Sequence, residues 1–340
     1  MIKTIDLRSD TVTKPTASML EAMTKAEVGD DVYGEDPKVI ELERYAADLF
    51  RKQAALFCPS GTMTNQIAIR AHTQLGDELI CADNAHIYKY EGGGIASNSG
   101  VQARILQSSF GKISDHQIQN AINANDPHFP NTALVCLENT SNRGGGSVYS
   151  LKEMDAIRVI CNNHHLKLHL DGARVFNAII AANYTTDELG NIFDSISICL
   201  SKGLGAPVGS LLIGNNDFIK KSIRIRKVFG GGMRQAGYLA AAGLFALQNN
   251  IQRLKTDHQN AKIIADILLE NKAILSVYPV ETNIIIFEML NEQTCTRFQN
   301  HLLINNIKAN KVAPASMRFV FHLDITEEMI GNLQQAIKSF

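Results

Sequence analysis

At 340 residues the chain exceeds one ordinary compact domain, which predicts a large domain and a smaller one on one continuous chain. Its 33 Lys and Arg balance 34 Asp and Glu, leaving no basic field to hold a phosphate backbone or an anionic membrane surface, so nucleic acid and membrane are not expected partners. Six cysteines (Cys58, Cys81, Cys136, Cys161, Cys199, Cys295) form no C-x-x-C pair, and several sit in apolar runs, as reduced core residues do. The opening MIKTIDLRSD has no apolar signal-peptide core, and no apolar run approaches the roughly 20 residues that span a bilayer, which predicts a cytoplasmic location.

In chain order, Asp36-Pro37 opens the first strong helix: Asp is a good N-cap and Pro suits the first helical position. Val39, Ile40, Leu42, Tyr45, Ala46 and Leu49 give it one apolar face, read as packing. From about residue 54 to 215 short apolar segments alternate with amphipathic ones. Strands are expected at Glu78–Ala82, Val101–Leu106, Ala133–Glu138, Lys167–Asp171, Ser195–Leu200 and Gly209–Gly214. The alternation predicts an α/β fold, a mainly parallel sheet with helices on both faces. After residue 233 long helices are expected over Gln235–Asn249 and Ile251–Asn271. A strand at Asn283–Glu288, a helix near Cys295–Asn305, a strand at Arg318–Leu323 and a last helix capped by Thr326 follow. The expected division is a large domain with the N-terminal segment over residues 1–250 and a small α+β C-terminal domain over 251–340, with no internal repeat.

Four places carry chemistry. In DSISICLSKGLGAPVGSLLIG a β-branched strand runs into Ser201-Lys202-Gly203, where small neighbours let a flat molecule approach the amine; alone, Lys202 also reads as a surface lysine in a turn. In KLHLDGARVFNA, Asp171 ends a strand on the face it shares with Lys167 and His169. The carboxyl end of a strand is where ligands bind in an α/β sheet, although Asp171 is equally placed to cap the next helix. Arg174 is either a solvated helix residue or a planar fork for an anion. In LFCPSGTMTNQIAIRAH, Ser60-Gly61-Thr62 lead from a strand into a helix whose free N–H groups suit a phosphate, and they equally suit an ordinary capping turn. His86 in NAHIYKYEGGG follows the next strand, where an imidazole can lie on a ring, handle a proton or be merely hydrogen-bonded. Phosphate seat, histidine, aspartate and lysine are the groups that pyridoxal 5'-phosphate (PLP) requires, with an anion beside its pyridine nitrogen keeping the ring protonated.

Their order resembles fold-type I PLP enzymes. The segments IDLRSDTVTKPT, GDDVYGEDP, PSGTMTNQ, LENT, HLDGARVFNA, CLSKGLGAPVGSLLIG, GGGMRQAG and MRFVFHLDIT together resemble the low-specificity L-threonine aldolases, densely from Ile5 to about Asn249 and more thinly beyond. The resemblance implies a PLP-dependent aldehyde-lyase, cleaving L-threonine, L-allo-threonine and related β-hydroxy-α-amino acids to glycine and an aldehyde. It implies Lys202 as the Schiff-base lysine, Asp171 as the pyridine partner, His86 as the stacking histidine, and Ser60, Gly61 and Thr62 as the phosphate loop. Ser9, Arg174 and Arg318 match groups that hold the substrate carboxylate. Lys227 and Arg234, flanking Gly230–Gly232, match basic residues brought toward the phosphate from a neighbouring subunit; Tyr33 matches a residue near the site and His128 a histidine near the substrate. A homotetramer with active sites shared across subunits follows from the same resemblance. One departure is Phe321 before His322, where relatives commonly carry Thr, and it is expected to alter packing around Arg318.

The histidine-rich stretch His164, His165 and His169 straddles a helix end and a strand, so no metal site is expected. The glycine runs Gly92–Gly94 and Gly144–Gly146 lack the strand-loop-helix spacing of a dinucleotide fingerprint and read as turns near a site. Two rivals share the constellation: another PLP-dependent β-eliminating lyase or aminotransferase, and a non-catalytic module that only binds PLP. Products from L-threonine separate the first, and a coloured but inert protein would mark the second.

Overall fold

The structure, a computed structural model, describes residues 4–340. After a two-residue strand β1 (Ile5–Asp6), the alternating region supplies seven strands: β2 (Ala54–Cys58), β3 (Glu78–Ala82), β4 (Gln102–Leu106), β5 (Thr132–Glu138), β6 (Lys167–Gly172), β7 (Ser195–Cys199) and β8 (Ser210–Gly214). They form one sheet in the order β2-β8-β7-β6-β5-β3-β4. Neighbours from β7 through β4 pair parallel, and only β8 runs against both its neighbours. Strands β3 and β7 are buried at every position, as befits a sheet covered on both faces. The two faces are legible within β2: Ala55 and Phe57 enter the main core, whereas Leu56 and Cys58 pack with Ile67, Ala68 and Ala71 of the helix Gly61–His72.

The helix Pro37–Leu49 forms as its Asp36-Pro37 start predicts, with the Asp36 carboxylate accepting from the N–H groups of Lys38 and Val39. Val39, Leu42, Ala46 and Ala47 are its buried face. Ile40, expected to pack, is 49% exposed, because it lies on the flank that turns from the sheet toward the surface around Tyr33.

The C-terminal part builds an antiparallel sheet β12-β13-β10-β9 from β9 (Ile274–Val277), β10 (Ile284–Met289), β12 (Asn310–Ala313) and β13 (Ser316–Val320). Helices Leu254–Glu270, Glu292–Ile304 and Glu327–Lys338 cover it around a core of Phe287, Phe298, Phe319 and Phe321. Thr326 caps the last helix by accepting from Met329 N–H. The chain's beginning joins this unit: β1 pairs parallel with β11 (Ile307–Lys308), and Ile5 and Leu7 enter its core. The strand expected at Arg318–Leu323 is shifted to Ser316–Val320, since Phe321 leaves the ladder to exchange hydrogen bonds with Asn283. Phe321 is fully buried beside Met317 and Phe319, on the side of β13 opposite Arg318, so its bulk is absorbed by the core and does not press on Arg318.

All six cysteines are free and buried. Among the described residues no helix is long and apolar enough to cross a membrane.

Candidate active site

Because all strands of the large sheet except β8 point the same way, their carboxyl ends share one edge, and the chemistry-bearing residues lie just beyond it. Ser60–Thr62 follow β2, His86 follows β3, Glu138 ends β5, Asp171 lies at the end of β6 and Lys202 follows β7. In the ladder Glu138 pairs with Asp171, and Asp171 with Ser197. A cavity of about 120 Å³ is lined by Ser9, Thr11, His86, Glu138, Asn142, Asp171, Ala173, Arg174, Lys202 and Arg318. The structure thus gathers Lys202, Asp171, His86, Ser9, Arg174 and Arg318 from five separate stretches of sequence.

Asp171 is not a helix cap. Its Oδ1 accepts from Ala173 N–H at 3.2 Å and its Oδ2 from Asn65 Nδ2 at 2.9 Å, while the following helix begins only at Val175. His86 sits at the start of a short helical turn with Nδ1 2.9 Å from Glu91 Oε1, and its backbone N–H donates to Glu138 Oε2. Burial disfavours the imidazolium, but the hydrogen bond to Glu91 and the negative charge of Asp171 outweigh it and raise the His86 pKa. Glu138 is pushed up by burial and by Asp171, with the N–H groups of Asn142 and His86 opposing.

Across the cavity the charges reverse. Arg174 is fully buried and forms a two-pronged pair with Asp10, Nε to Oδ2 at 2.8 Å and Nη2 to Oδ1 at 2.7 Å. Burial lifts the Asp10 carboxyl, yet Arg174, Lys202 and His322 more than reverse this and hold it at about 2. Arg318 donates to Asn142 Oδ1 at 2.7 Å and to the Arg8 carbonyl at 3.0 Å, and it has no carboxylate partner. Its Nε is buried without any partner, as is Nε of Arg143, whose guanidinium lies 4.7 Å from the Tyr90 ring centroid. Burial, then Arg174 and Arg143, bring the Arg318 pKa down to about 10. Two guanidinium groups, of Arg174 and Arg318, therefore line this part of the cavity, and only that of Arg174 has a carboxylate partner, which suits the corner to an added anion.

The helix Gly61–His72 starts beside this cavity. Ser60 Oγ caps it by accepting from Met63 N–H, and the N–H groups of Gly61 and Thr62 make no hydrogen bond within the chain. Glycine at 61 has a packing reason as well: an added Cβ would lie 2.6 Å from Cys199 Sγ at the end of β7.

Four expected residues lie elsewhere in the chain. Tyr33, 75% exposed, and Lys227 line a separate cavity of about 490 Å³ with Val32, Ile40 and Ile223. Arg234 is exposed and pairs with Asp30. His128 is in the surface loop that enters β5 at the opposite end of the strand from Glu138, with Nδ1 2.7 Å from Asp126 and a side chain 85% exposed. None of the four lines the cavity at Lys202.

Sequence reasoning passed over Asp10, Asn65, Glu91, Glu138, Asn142 and Arg143. Glu138 was signalled by its strand-end position matching that of Asp171, and Glu91 only by its place five residues after His86, just past the short helix that His86 opens.

A lysine, an aspartate and a histidine thus stand at the carboxyl edge of an α/β sheet, and residues 6–292 match the family described as beta-eliminating lyase. The chain belongs to that family. Within it, the chain is 43% identical over 337 residues to the low specificity L-threonine aldolase of Escherichia coli strain K12, covering 99% of both chains. It is likewise 43% identical over 335 residues to low-specificity L-threonine aldolase 1 of Arabidopsis thaliana, covering 96% of this chain and 93% of that one. The solved threonine aldolase of Leishmania major superposes with a TM-score of 0.87 at 23% identity, covering 98% and 99%, and shares the fold.

Proposed function

We propose that the chain is a PLP-dependent lyase that cleaves L-threonine, L-allo-threonine and related β-hydroxy-α-amino acids to glycine and an aldehyde. The observation that carries this reading is the convergence of Lys202, Asp171 and His86 with Arg174 and Arg318 on one cavity. The residues fit PLP: two unbonded N–H groups at a helix start for the phosphate, a buried carboxylate for the pyridine nitrogen, an imidazole near the ring position and an amine among glycines. When bound, PLP supplies an electron sink for the pair released as Cα–Cβ breaks.

The protein's part is binding, orientation and proton handling. Gly61 and Thr62 N–H would hold the phosphate, with the Ser60 hydroxyl fixing their turn, and Lys202 Nζ would be the amine that carries the cofactor. Asp171 would keep the pyridine nitrogen protonated, its own direction set by Asn65 and Ala173 N–H. Arg318 and Ser9 receive the substrate carboxylate, and Arg174, held by Asp10, adds its charge to that corner. His86 Nδ1 carries the proton it gives Glu91, which leaves Nε2 free to accept the β-hydroxyl proton or to hold a water that does.

Tyr33, Lys227, Arg234 and His128 are exposed, and any role in catalysis places them against the site of another subunit. The reading is a homotetramer, a dimer of dimers in the cytoplasm, with Lys227 and Arg234 turned toward a neighbour's phosphate. Borohydride should bleach the visible colour and leave the cofactor covalently fixed to wild type, and should fix none to Lys202→Ala. L-threonine should yield glycine and acetaldehyde; 2-oxobutanoate with ammonia would overturn the reaction assigned here.

A further inference from the structure

Beneath the site runs a buried polar chain that the reaction above touches only where Asn65 meets Asp171 and Glu91 meets His86. Asn65, on the fifth residue of the helix Gly61–His72, is 2% exposed. Its Nδ2 lies 2.9 Å from Asp171 Oδ2 and 2.9 Å from Glu91 Oε1. Both neighbours are carboxylate oxygens, so the group between them must be the amide nitrogen and each of its hydrogens is committed. The amide oxygen is 3.2 Å from His169 Nε2, which must then be the protonated nitrogen. His169 Nδ1 consequently accepts from Ser195 Oγ at 2.8 Å, and Ser195 accepts in turn from His72 Nε2 at 2.8 Å. Burial holds both rings neutral, lowering His169 to about 4 and His72 to about 3, so each has the single proton this order demands. Glu91 has its own partners: Oε2 accepts from Gln66 at 2.7 Å, and Oε1 receives His86 Nδ1–H. Every donor has one acceptor, and reversing the amide would turn its oxygen on two carboxylates at once.

We propose that Asn65 is a positioning residue: one amide group ties the Asp171 carboxylate to that of Glu91, and so fixes Asp171 and the His86 ring relative to each other, while His169 holds the amide in its required orientation. The inference rests on the reading of this site given above. Two functions that must cooperate, protonating the pyridine side and taking a proton at the β-hydroxyl, come from different loops, and a neutral amide is the shortest link joining their carboxylates without adding charge. His86, Glu91 and Asp171 also place ligand atoms within 4.8 Å of one another, the spacing of a cation site. The Asn65 hydrogens point at the same two oxygens from between them, which makes the link a hydrogen-bonded one.

The test compares cofactor-loaded wild type with Asn65→Leu, His169→Phe and His169→Gln. Two readouts are followed against pH: the visible absorbance of the bound cofactor, and the acid limb of kcat/KM for L-threonine. Around His86 the ionisable groups are Glu91, Asp171 and Glu138, and only the first two lose a donor in Asn65→Leu. With a charge-assisted hydrogen bond lost from each, both carboxylates attract the protons they face more strongly, so both midpoints should rise by about one pH unit, a tenfold change. His169→Phe should move them the same way by about half as much, and His169→Gln, whose amide N–H can replace Nε2–H, should restore them. Midpoints that stay within about 0.2 unit of wild type in Asn65→Leu and His169→Phe would make the chain merely structural and overturn the proposal, whatever the unfolding temperature does. If Asn65→Leu does not fold, the His169 pair decides: a shift in Phe that Gln reverses supports the proposal, and no shift sinks it. A wild type in which borohydride does not fix the cofactor covalently would overturn the reading of the site itself, and the inference with it.

Discussion

Arg318→Met should make the protein a worse enzyme and a no less stable fold. The guanidinium is three-quarters buried, has no carboxylate partner, and stands near Arg174 and Arg143; burial and those two charges lower its pKa from 12.5 to about 10. The difference of 2.5 units corresponds to about 3 kcal/mol of cost for keeping the cation there, at roughly 1.4 kcal/mol per unit. Against this stand two hydrogen bonds, to Asn142 Oδ1 and the Arg8 carbonyl, worth about 1 kcal/mol each. Methionine keeps much of the volume and discards the charge, so the variant should unfold at the same urea concentration as wild type or gain about 1 kcal/mol. In the function proposed above, a substrate carboxylate is the partner Arg318 lacks. Its loss should cost about 3 to 4 kcal/mol of binding, a fall in kcat/KM for L-threonine of about 10² to 10³, most of it through KM. The measurements are urea unfolding and steady-state kinetics on one preparation. A variant destabilised by more than about 1 kcal/mol that keeps kcat/KM within about fivefold would show Arg318 to be structural and refute the reasoning.

Three further perturbations follow from the same structure. Gly61→Ala sets a Cβ 2.6 Å from Cys199 Sγ and should displace the helix start, weakening PLP affinity about tenfold in equilibrium titration; adding Cys199→Ala should recover most of it. Glu43 is half-buried, and burial lifts its pKa to about 7 against the N–H of Phe57, so its contribution is present below the unfolded value of 4.5 and is lost as pH rises through 7. Glu43→Gln should therefore stabilise the protein by about 1 to 3 kcal/mol in urea at about pH 8 and have little effect at about pH 4. Asp10 runs the other way: held at about 2 against 3.8, it contributes about 2 kcal/mol above pH 3.8 that disappears as pH falls through 2. Asp10→Asn should flatten acid unfolding across that window and, by stranding Arg174, cost about 3 to 5 kcal/mol near neutrality; an unchanged acid profile would refute the pairing's importance.

What the sequence disclosed and what it withheld divide along a physical line. The strands of the large sheet are segments of five to seven residues, most of them rich in apolar side chains and set between amphipathic stretches, and that alternation can hardly be read otherwise. Lys202, Asp171 and His86 were legible because each ends a strand, where a parallel sheet exposes its ligands. Their partners were not. Asp10 lies 164 positions from Arg174 and Asn65 lies 106 from Asp171, and only the folded chain brings such pairs within a hydrogen bond. The N-terminal segment was assigned by continuity to the large domain, but its hydrogen bonds run to β11 and to Val320, because short strands take whichever edge tertiary packing offers. Ile40 fitted a helical apolar face by spacing, yet spacing alone does not reveal how wide a stripe the neighbouring elements cover.

The placement of the N-terminal segment has a bearing on catalysis. Leu7 is anchored in the C-terminal core and accepts from Val320 N–H, and two residues later Ser9 lines the cavity while the buried Asp10 behind it clasps Arg174 of the large sheet. The carboxylate corner is thus assembled from both units: Arg318 comes from the small sheet, Arg174 from the large one, and Asp10 from the strap between them. The opposite side, with Lys202, Asp171 and His86, belongs wholly to the large sheet. A zwitterionic amino acid meets guanidinium groups on one side and carboxylates with an imidazole on the other, which fixes its direction before any bond changes. Movement of the small unit would then alter the grip on the substrate carboxylate and leave the proton-handling groups in register.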